Sequence, residues 1–389
     1  MIRRSLPAVF MRGGTSKAIM FHACDLPAQR AAWDPIFLAA IGSPDPNGRQ
    51  LDGMGGGVSS LSKVCVLAPS SRADADIDYT FAQVQIREAR VDYGGNCGNM
   101  SSAVGPFAVD EGLVRADGAE ALVRIYNTNT KKLIHARFPL EAGQTREDGD
   151  LAIPGVGGTG APIRLDFLSP GGATTGKLLP TGRVRDVLEI PGIGPIEVSL
   201  IDAANACVFV RASDLGLTGT ELPDVVEADP ALLARLETIR AHGSVAMGIA
   251  PTLEAARAIR VVPFIAIVAP PAPARTLSGE ALAADALDLT ARAMSNGQPH
   301  RALPLTISLC TAVAARIEGS VVAEAARAGG DGPIRLGMPS GVLTVAAEVE
   351  RDADGAWVAR AGSFYRTARR LFDGRVWVPG ATGLLPSGG

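Results

Sequence analysis

Two side chains in this 389-residue chain stand where an amine and a thiol could do chemistry. Cys97 lies in Val91-Asp-Tyr-Gly-Gly-Asn-Cys-Gly-Asn-Met-Ser-Ser-Ala-Val-Gly105, which reads as a strand-like segment, a tight Gly-Gly-Asn turn and the start of a small-residue helix. At the first turn of a helix, free backbone N–H groups point outward and the macrodipole favours negative charge. A thiol placed there ionises more readily than one in open chain, and the neighbouring N–H groups can hold a carboxylate. Lys63 closes a Gly-Gly-Gly-Val-Ser-Ser-Leu-Ser approach and opens the apolar strand Val64-Cys-Val-Leu-Ala68. Lys63, Cys65 and Leu67 share one face of that strand. If the face is inward, loss of hydration favours the neutral amine, which is a base. Taken singly, an inert buried cysteine and a lysine at a strand's wet end are the plainer readings.

A base together with a helix-capping thiol suits proton transfer at carbon. Moving a proton beside a carboxylate builds negative charge on that carboxylate, so fixed donors are needed where the charge develops. The candidates are the backbone N–H groups of Gly98 and Asn99, the Thr15-Ser16-Lys17 turn, and a second Gly/Ser turn, Gly337-Met-Pro-Ser340-Gly341.

The elements that must hold these residues follow from the apolar pattern. Residues 7–21 read as strand, Gly-rich turn and strand, and 30–41 as a helix with Trp33, Ile36, Phe37 and Ala40 at helical spacing. Strands are expected at 64–68, twice within 76–91, and at 122–126 and 133–138, with the helix after Cys97 running to about Glu111 or Gly112. Residues 139–183 read as loop. From Val184 the pattern restarts, with strands at 196–201, 207–211 and 261–268 and helices at about 230–248, 279–295 and 305–317. Strands at 343–350, 357–360 and 368–378 end the chain. Both halves show strands feeding a small-residue helix. The expected domains are 1–183, carrying Lys63 and Cys97, and 184–389, with the last strand, about 368–380, returning to the first.

Composition narrows the function. A net charge of −3 without long runs of either sign argues against a nucleic-acid partner, which needs a concentrated basic face. The longest apolar run, Val261 to Ala274, is cut by four prolines and cannot span a bilayer, so no membrane partner is expected. Five widely spaced cysteines, an odd number without a Cys-x-x-Cys pair, fit free thiols in a reducing compartment. With an N-terminus too short in apolar residues for a signal peptide, the expected location is cytoplasmic.

Two Gly-rich motifs are set aside. Gly155-Val-Gly-Gly-Thr-Gly160 has the letters of a dinucleotide fingerprint, but Pro162 and a strand-like segment follow where a helix is required. Gly171-Gly-Ala-Thr-Thr-Gly-Lys177 resembles a phosphate loop until Leu178 stands in the Ser/Thr position and Pro180 blocks the helix. No run has the spacing of a metal site, so the reading needs no metal and no cofactor.

The motifs Met11-Arg-Gly-Gly-Thr-Ser-Lys17, Gly42-Ser-Pro-Asp-Pro46, Asp52-Gly-Met-Gly-Gly56, Ser62-Lys63-Val64 and Asn96-Cys-Gly-Asn99 resemble the PrpF family of aconitate isomerases. The likeness continues through Leu188-Glu-Ile-Pro-Gly-Ile-Gly194, Gly219-Thr-Glu-Leu222, Ile239-Arg-Ala-His-Gly243 and His300. That family includes 2-methylaconitate cis–trans isomerase, methylitaconate Δ-isomerase and 4-oxalomesaconate tautomerase. The resemblance implies a diaminopimelate-epimerase-like α/β fold: two similar domains, each wrapping strands around a central helix, with the site in the cleft between. It also implies a cofactor-free proton shift in an unsaturated di- or tricarboxylic acid, with catalytic roles carried to Lys63 and Cys97. Substrate-binding roles would fall to Thr15, Ser16, Lys17, Ser62, Gly98, Asn99, His300, Ser340 and Gly341. The expected partner is a small polycarboxylate, with a homodimer left open. The second-half helix near Pro304-Leu-Thr-Ile307 has no thiol to match Cys97, which disfavours an amino-acid racemase. The rivals are an oxalomesaconate-type tautomerase, a methylitaconate-type Δ-isomerase and a non-catalytic carboxylate-binding protein.

Overall fold

The first unit is built outward from a hairpin. β1 (Arg4–Gly13) turns through Gly14, at a positive φ of 52°, into β2 (Ser16–His22). A two-residue hairpin loop with positive φ at its first position favours glycine, because L side chains avoid that conformation. After α1 (Trp33–Ile41), β3 (Lys63–Pro69) runs parallel to β2, and β4 (Ile77–Val84) runs antiparallel to β3. The short β5 (Val91–Asp92) pairs with the end of β4 and leads into α2 (Gly98–Asp110). β6 (Glu120–Asn127) then returns parallel to β4 and antiparallel to β7 (Lys132–Glu141). β8 (Gln144–Thr145) and β9 (Ile163–Leu168) both pair with β7. The computed structural model describes residues 4–259, 262–295, 297–327, 330 and 332–378.

Alternation sorts this sheet into two faces. Phe10, Ile19, Phe21, Val64 and Val66 pack in one core with Phe37 and Ile41 of α1. The other face carries Lys63, Cys65, Tyr79 and Phe81, since Lys63 pairs with Gln83, Cys65 with Phe81 and Leu67 with Tyr79. α2 packs against β1, β2, β3, β6 and β7, and its residues Met100 through Val109 are all buried. A helix enclosed on every side has no use for a polar stripe, and small residues let the strands close in. Gly105 marks the tightest approach, where a Cβ would stand 2.6 Å from the Phe138 ring and 3.1 Å from the Ala136 methyl. Ser101 and Ser102 turn their hydroxyls back to the carbonyls of Cys97 (3.1 Å) and Asn99 (2.7 Å), which keeps them satisfied inside an apolar shell.

The second unit repeats the plan. β10 (Asp186–Ile190) lies against β11 (Gly194–Ala203), which turns through Ala204 into the antiparallel β12 (Asn205–Arg211). The helices α3 (Pro223–Glu227), α4 (Pro230–Ala246) and α5 (Leu253–Ala258) precede β13 (Phe264–Ala269), parallel to β12. A two-stranded ribbon, β14 (Ala274–Arg275) and β15 (Ala281–Leu282), intervenes. β16 (Leu289–Ser295) is antiparallel to β13 and carries β17 (Gln298–Pro299) at its end. α6 (Leu305–Arg316) and α7 (Val321–Ala325) follow. β18 (Ile334–Met338) is parallel to β16 and antiparallel to β19 (Gly341–Arg351), which pairs with β20 (Trp357–Arg366). β21 (Ala368–Val378) then lies antiparallel along the whole of β1.

The succession β1-β2-β3-β4-β6-β7 has the same alternation of antiparallel and parallel neighbours as β11-β12-β13-β16-β18-β19. The enclosed helices α2 and α6 occupy the same place in the two successions. The duplication that is faint in residues is therefore complete in topology, as the family resemblance implies.

Some expectations change. Residues 279–295 are not a helix: β15, a 3-10 turn at Ala284–Ala286 and β16 occupy them. Their Ala- and Leu-rich composition is a weak helical bias, which pairing between β13 and β18 overrides. Residues 139–183 also hold β8 and β9. The chain divides into units 1–166 with 365–389, and 167–364, so the first boundary comes before residue 183. Residues 379 and 380 of the expected last strand lie outside the described residues. No helix among the described residues is long and apolar enough to cross a membrane.

Candidate functional site

Cys97 caps α2 from an extended conformation (φ −105°, ψ 100°), and its carbonyl takes the first helical bond from the Ser101 N–H at 2.9 Å. Helix geometry leaves the N–H groups of Gly98, Asn99 and Met100 without intrahelical acceptors. The Cys97 thiol is partly exposed. The turn before it is pinned by two asparagines that sequence reasoning missed. Asn127 donates to Asn96 Oδ1 (3.1 Å), and Asn129 donates to the carbonyls of Tyr93 (2.6 Å) and Phe81 (2.8 Å).

The β1–β2 hairpin loop presses on the start of α2. A Cβ on Gly13 would meet the Asn99 carbonyl at 2.6 Å, and one on Gly14 would meet Asn99 Oδ1 at 2.2 Å. With both glycines in place, Asn99 Nδ2 donates to Thr15 Oγ1 at 3.1 Å. Arg366, just before β21, donates from Nε to Asn99 Oδ1 at 3.0 Å. Thr15 is exposed and Ser16 buried. Lys17 lies on the opposite face of β2 from Ser16, its Nζ 5.5 Å from the centre of the Phe10 ring. The structure thus brings Thr15, Gly98 and Asn99 together with Cys97 and points the Lys17 side chain elsewhere.

Lys63 is only 7% exposed. Its Nζ donates to Gln83 Oε1, directly across the β3–β4 pair, and lies 5.1 Å from the centre of the Phe81 ring. Gln83 cannot be turned over, because its Nε2 already donates to the carbonyls of Ser59 (3.1 Å) and Ser62 (3.0 Å). The Ser62 hydroxyl is buried between Gln50 Oε1 (2.7 Å) and the Val58 carbonyl (2.8 Å). Next on the Lys63 face comes Cys65, whose thiol pKa is pushed up by full burial; a contact to Tyr79 and the Lys63 charge pull it down, and Cys97 pushes it further up. Lys63 and Cys97 therefore both lie within electrostatic reach of one buried sulfur.

The remaining expected residues belong to the second unit. His300 packs on the Phe264 ring (centroids 5.7 Å apart), and burial lowers its pKa below the ordinary value. Pro339 and Ser340 form the β18–β19 turn, Gly341 opens β19 at a φ of 132°, and Ser340 Oγ is buried without a hydrogen-bond partner among the described residues. Pro304 caps the start of α6, and Cys310 is buried in mid-helix with its sulfur 3.6 Å from the Ile201 carbonyl. The start of this helix carries no thiol. In the loop 171–177, the N–H groups of Thr174 (2.8 Å) and Thr175 (2.6 Å) both donate to Asp202 Oδ2, so donors a phosphate would need are spent on a carboxylate of the chain itself. Among the described residues no group of three or more His, Cys, Asp or Glu could hold a metal ion.

The whole chain shares its fold with the crystal structure of a methylitaconate-delta-isomerase, with a TM-score of 0.90, 44% identity and 98% of each chain covered. It is 45% identical over 376 residues to a 3-methylitaconate isomerase of Eubacterium barkeri, covering 96% of this chain and 97% of the relative. A 2-methyl-aconitate isomerase of Shewanella oneidensis is 42% identical over 383 residues, and a 4-oxalomesaconate tautomerase of Pseudomonas putida 40% over 375, each with 96% of both chains covered. The class is thereby defined: this is an isomerase. Residues 1–379 match the family described as PrpF protein, and the chain belongs to that family.

Proposed function

We propose that this protein isomerises an unsaturated di- or tricarboxylic acid of the aconitate or methylaconitate type, without a cofactor, through a dienolate. Lys63 takes a proton from the carbon allylic to the double bond, and the electron pair left behind spreads through the double bond onto a carboxylate. The N–H groups at the start of α2, with Thr15, stabilise that charge where it develops. Return of the proton to the same carbon after rotation gives cis–trans isomerisation; return two carbons away gives a Δ-isomer or a tautomer. Cys97 delivers that proton or orients the carboxylate. The observation that carries the reading is a nearly buried lysine and a helix-capping cysteine that both act electrostatically on one buried sulfur, Cys65. Free thiols fit a cytoplasmic setting.

The experiment follows solvent deuterium into cis-aconitate, 2-methylaconitate, 3-methylitaconate and 4-oxalomesaconate. Exchange into one of the first two supports the proposal, and exchange into 4-oxalomesaconate alone would make the protein a tautomerase. Binding without exchange into any of the four would make it a carboxylate-binding protein. Lys63→Ala is expected to lower turnover by about 10²-fold or more, the ordinary worth of a positioned base. Near-normal turnover in Lys63→Ala or Cys97→Ser would sink the assignment of roles.

A further inference from the structure

We propose that Asn129, in the β6–β7 turn, is a positioning residue for the return of the proton: its amide ties the strand pair that carries Lys63 to the turn that carries Cys97, and so sets the separation of amine and thiol. The inference rests on the reading of Lys63 as the group that takes the proton and Cys97 as the group that returns it. It assigns the spacing between them to a side chain from a third element.

The Asn129 amide is engaged at both of its polar atoms. Oδ1 accepts from the Phe81 N–H (2.9 Å), and Nδ2 donates to the Phe81 carbonyl (2.8 Å) and the Tyr93 carbonyl (2.6 Å). The two bonds to Phe81 are the pair that a residue of a neighbouring antiparallel strand would make. They close a gap in the sheet, because β4 pairs with β6 at residues 77–79 and with β5 at 83–84, leaving Phe81 between them. A turned-over amide would set NH₂ against the Phe81 N–H and an oxygen against two carbonyls, so one orientation is allowed. The turn that presents it is held by the fully buried Asn127, whose Oδ1 accepts from the N–H groups of Asn129 (3.1 Å) and Thr130 (2.8 Å). Asn127 Nδ2 then donates to Asn96 Oδ1 (3.1 Å), one residue before the thiol.

Each end of this tie lies beside one of the two groups. Phe81 faces Cys65 across the β3–β4 pair, and its ring centre is 5.1 Å from Lys63 Nζ. Tyr93 opens the turn Gly94-Gly95-Asn96 that ends at Cys97, and a Cβ on Gly95 would meet nothing within 4 Å. Glycines give that turn no stiffness of their own, so its place is set by the ties at Tyr93 and Asn96. In the reaction, the proton leaves carbon for Lys63 Nζ, Cys97 Sγ–H supplies the one that returns, and solvent restores both groups. Removal needs the amine alone, whereas product needs the thiol within reach of the carbon that is protonated. Loosening the tie therefore separates the steps: Lys63 still exchanges the substrate's proton with solvent, and fewer of those events end in product.

The test uses the full-length protein in D₂O with whichever of cis-aconitate, 2-methylaconitate, 3-methylitaconate and 4-oxalomesaconate the wild type isomerises. Mass spectrometry at early times reads the ratio of deuterium in recovered substrate to product formed. Asn129→Ala is expected to lower product formation about tenfold while exchange falls far less, so the ratio rises several-fold. Asn96→Ala cuts the Asn127 tie and should move the ratio the same way. Thr128→Val removes hydroxyl bonds from the same turn to Thr80 Oγ1 (2.7 Å) and the Tyr79 carbonyl (3.3 Å) but spares both ties to the Cys97 turn. It should lower the urea midpoint and leave the ratio unchanged. Exchange and product falling together in a folded Asn129→Ala would overturn the proposal; if that variant failed to fold, an unchanged ratio in Asn96→Ala would do so. An equal rise in Thr128→Val would also overturn it, by making the effect one of general loosening. Full turnover in Lys63→Ala or Cys97→Ser, or a wild type that isomerises none of the four acids, would instead remove the functional reading and the inference with it.

Discussion

At the scale of single residues, the amine is the group whose surroundings are most constrained. A lysine with its stem buried and its Nζ against an amide oxygen has few rotamers left, so its lone pair, once free, points in one direction. Gln83 enforces this because its own NH₂ is tied to the Ser59 and Ser62 carbonyls. If Lys63 is the base proposed above, Gln83→Leu is expected to lower kcat about tenfold with little change in KM, since the amine is misplaced while binding survives. Lys63 and Cys97 are visible in sequence because both follow runs of Gly, Ser and Asn. Gln83 and Arg366 carry no such local mark. One becomes significant through strand register, the other through a contact between positions 267 residues apart.

At the scale of elements, the enclosed helix α2 decides how accurately the thiol is placed. Its first turn meets the hairpin loop, its middle meets Ala136 and Phe138 of β7, and its last residue, Asp110, accepts from the Thr145 N–H of β8 at 2.9 Å. Gly105→Val would drive two methyl groups into Phe138 and Ala136, and overpacking of this kind costs about 1–3 kcal/mol. The check is urea unfolding, where the midpoint should fall with little change in slope. Small-residue patterning made this helix and α6 readable in advance, because a stretch of Ala, Ser, Gly and Val without charges has no wet face. The same reasoning fails for β16, whose residues lack strong strand character and become a strand by lying between two others.

At the scale of the whole molecule, β21 brings residues 368–378 back to lie along β1. Arg370 of β21 pairs with Glu111 at 2.6 Å, and Glu111 accepts from His22 Nε2 at 2.9 Å, so strand end, helix end and returning strand are joined at one carboxylate. Burial pushes the Glu111 pKa up, but His22 and Arg370 outweigh it and hold it below the ordinary 4.5. A carboxylate with a depressed folded-state pKa contributes stability that is present above its unfolded pKa and lost as pH falls through the folded value. Glu111→Gln should therefore be less stable than wild type at neutral pH, with the difference shrinking below about pH 4.5. A stability difference from urea titrations that stays constant with pH would contradict this.

The sequence alone determined the local parts of this protein: the glycine hairpin, the enclosed small-residue helices, and the amine and thiol that stand at Lys63 and Cys97. These depend on periodicity, on which residues accept positive φ and on what a helix start does to its neighbours, all within a few positions of each other. The tertiary structure alone decided which amide faces Lys63, which arginine stands behind Asn99, and that Lys17 leaves the face Ser16 occupies. Strand register and the return of β21 bring those groups together, and both depend on burying surfaces that lie far apart along the chain.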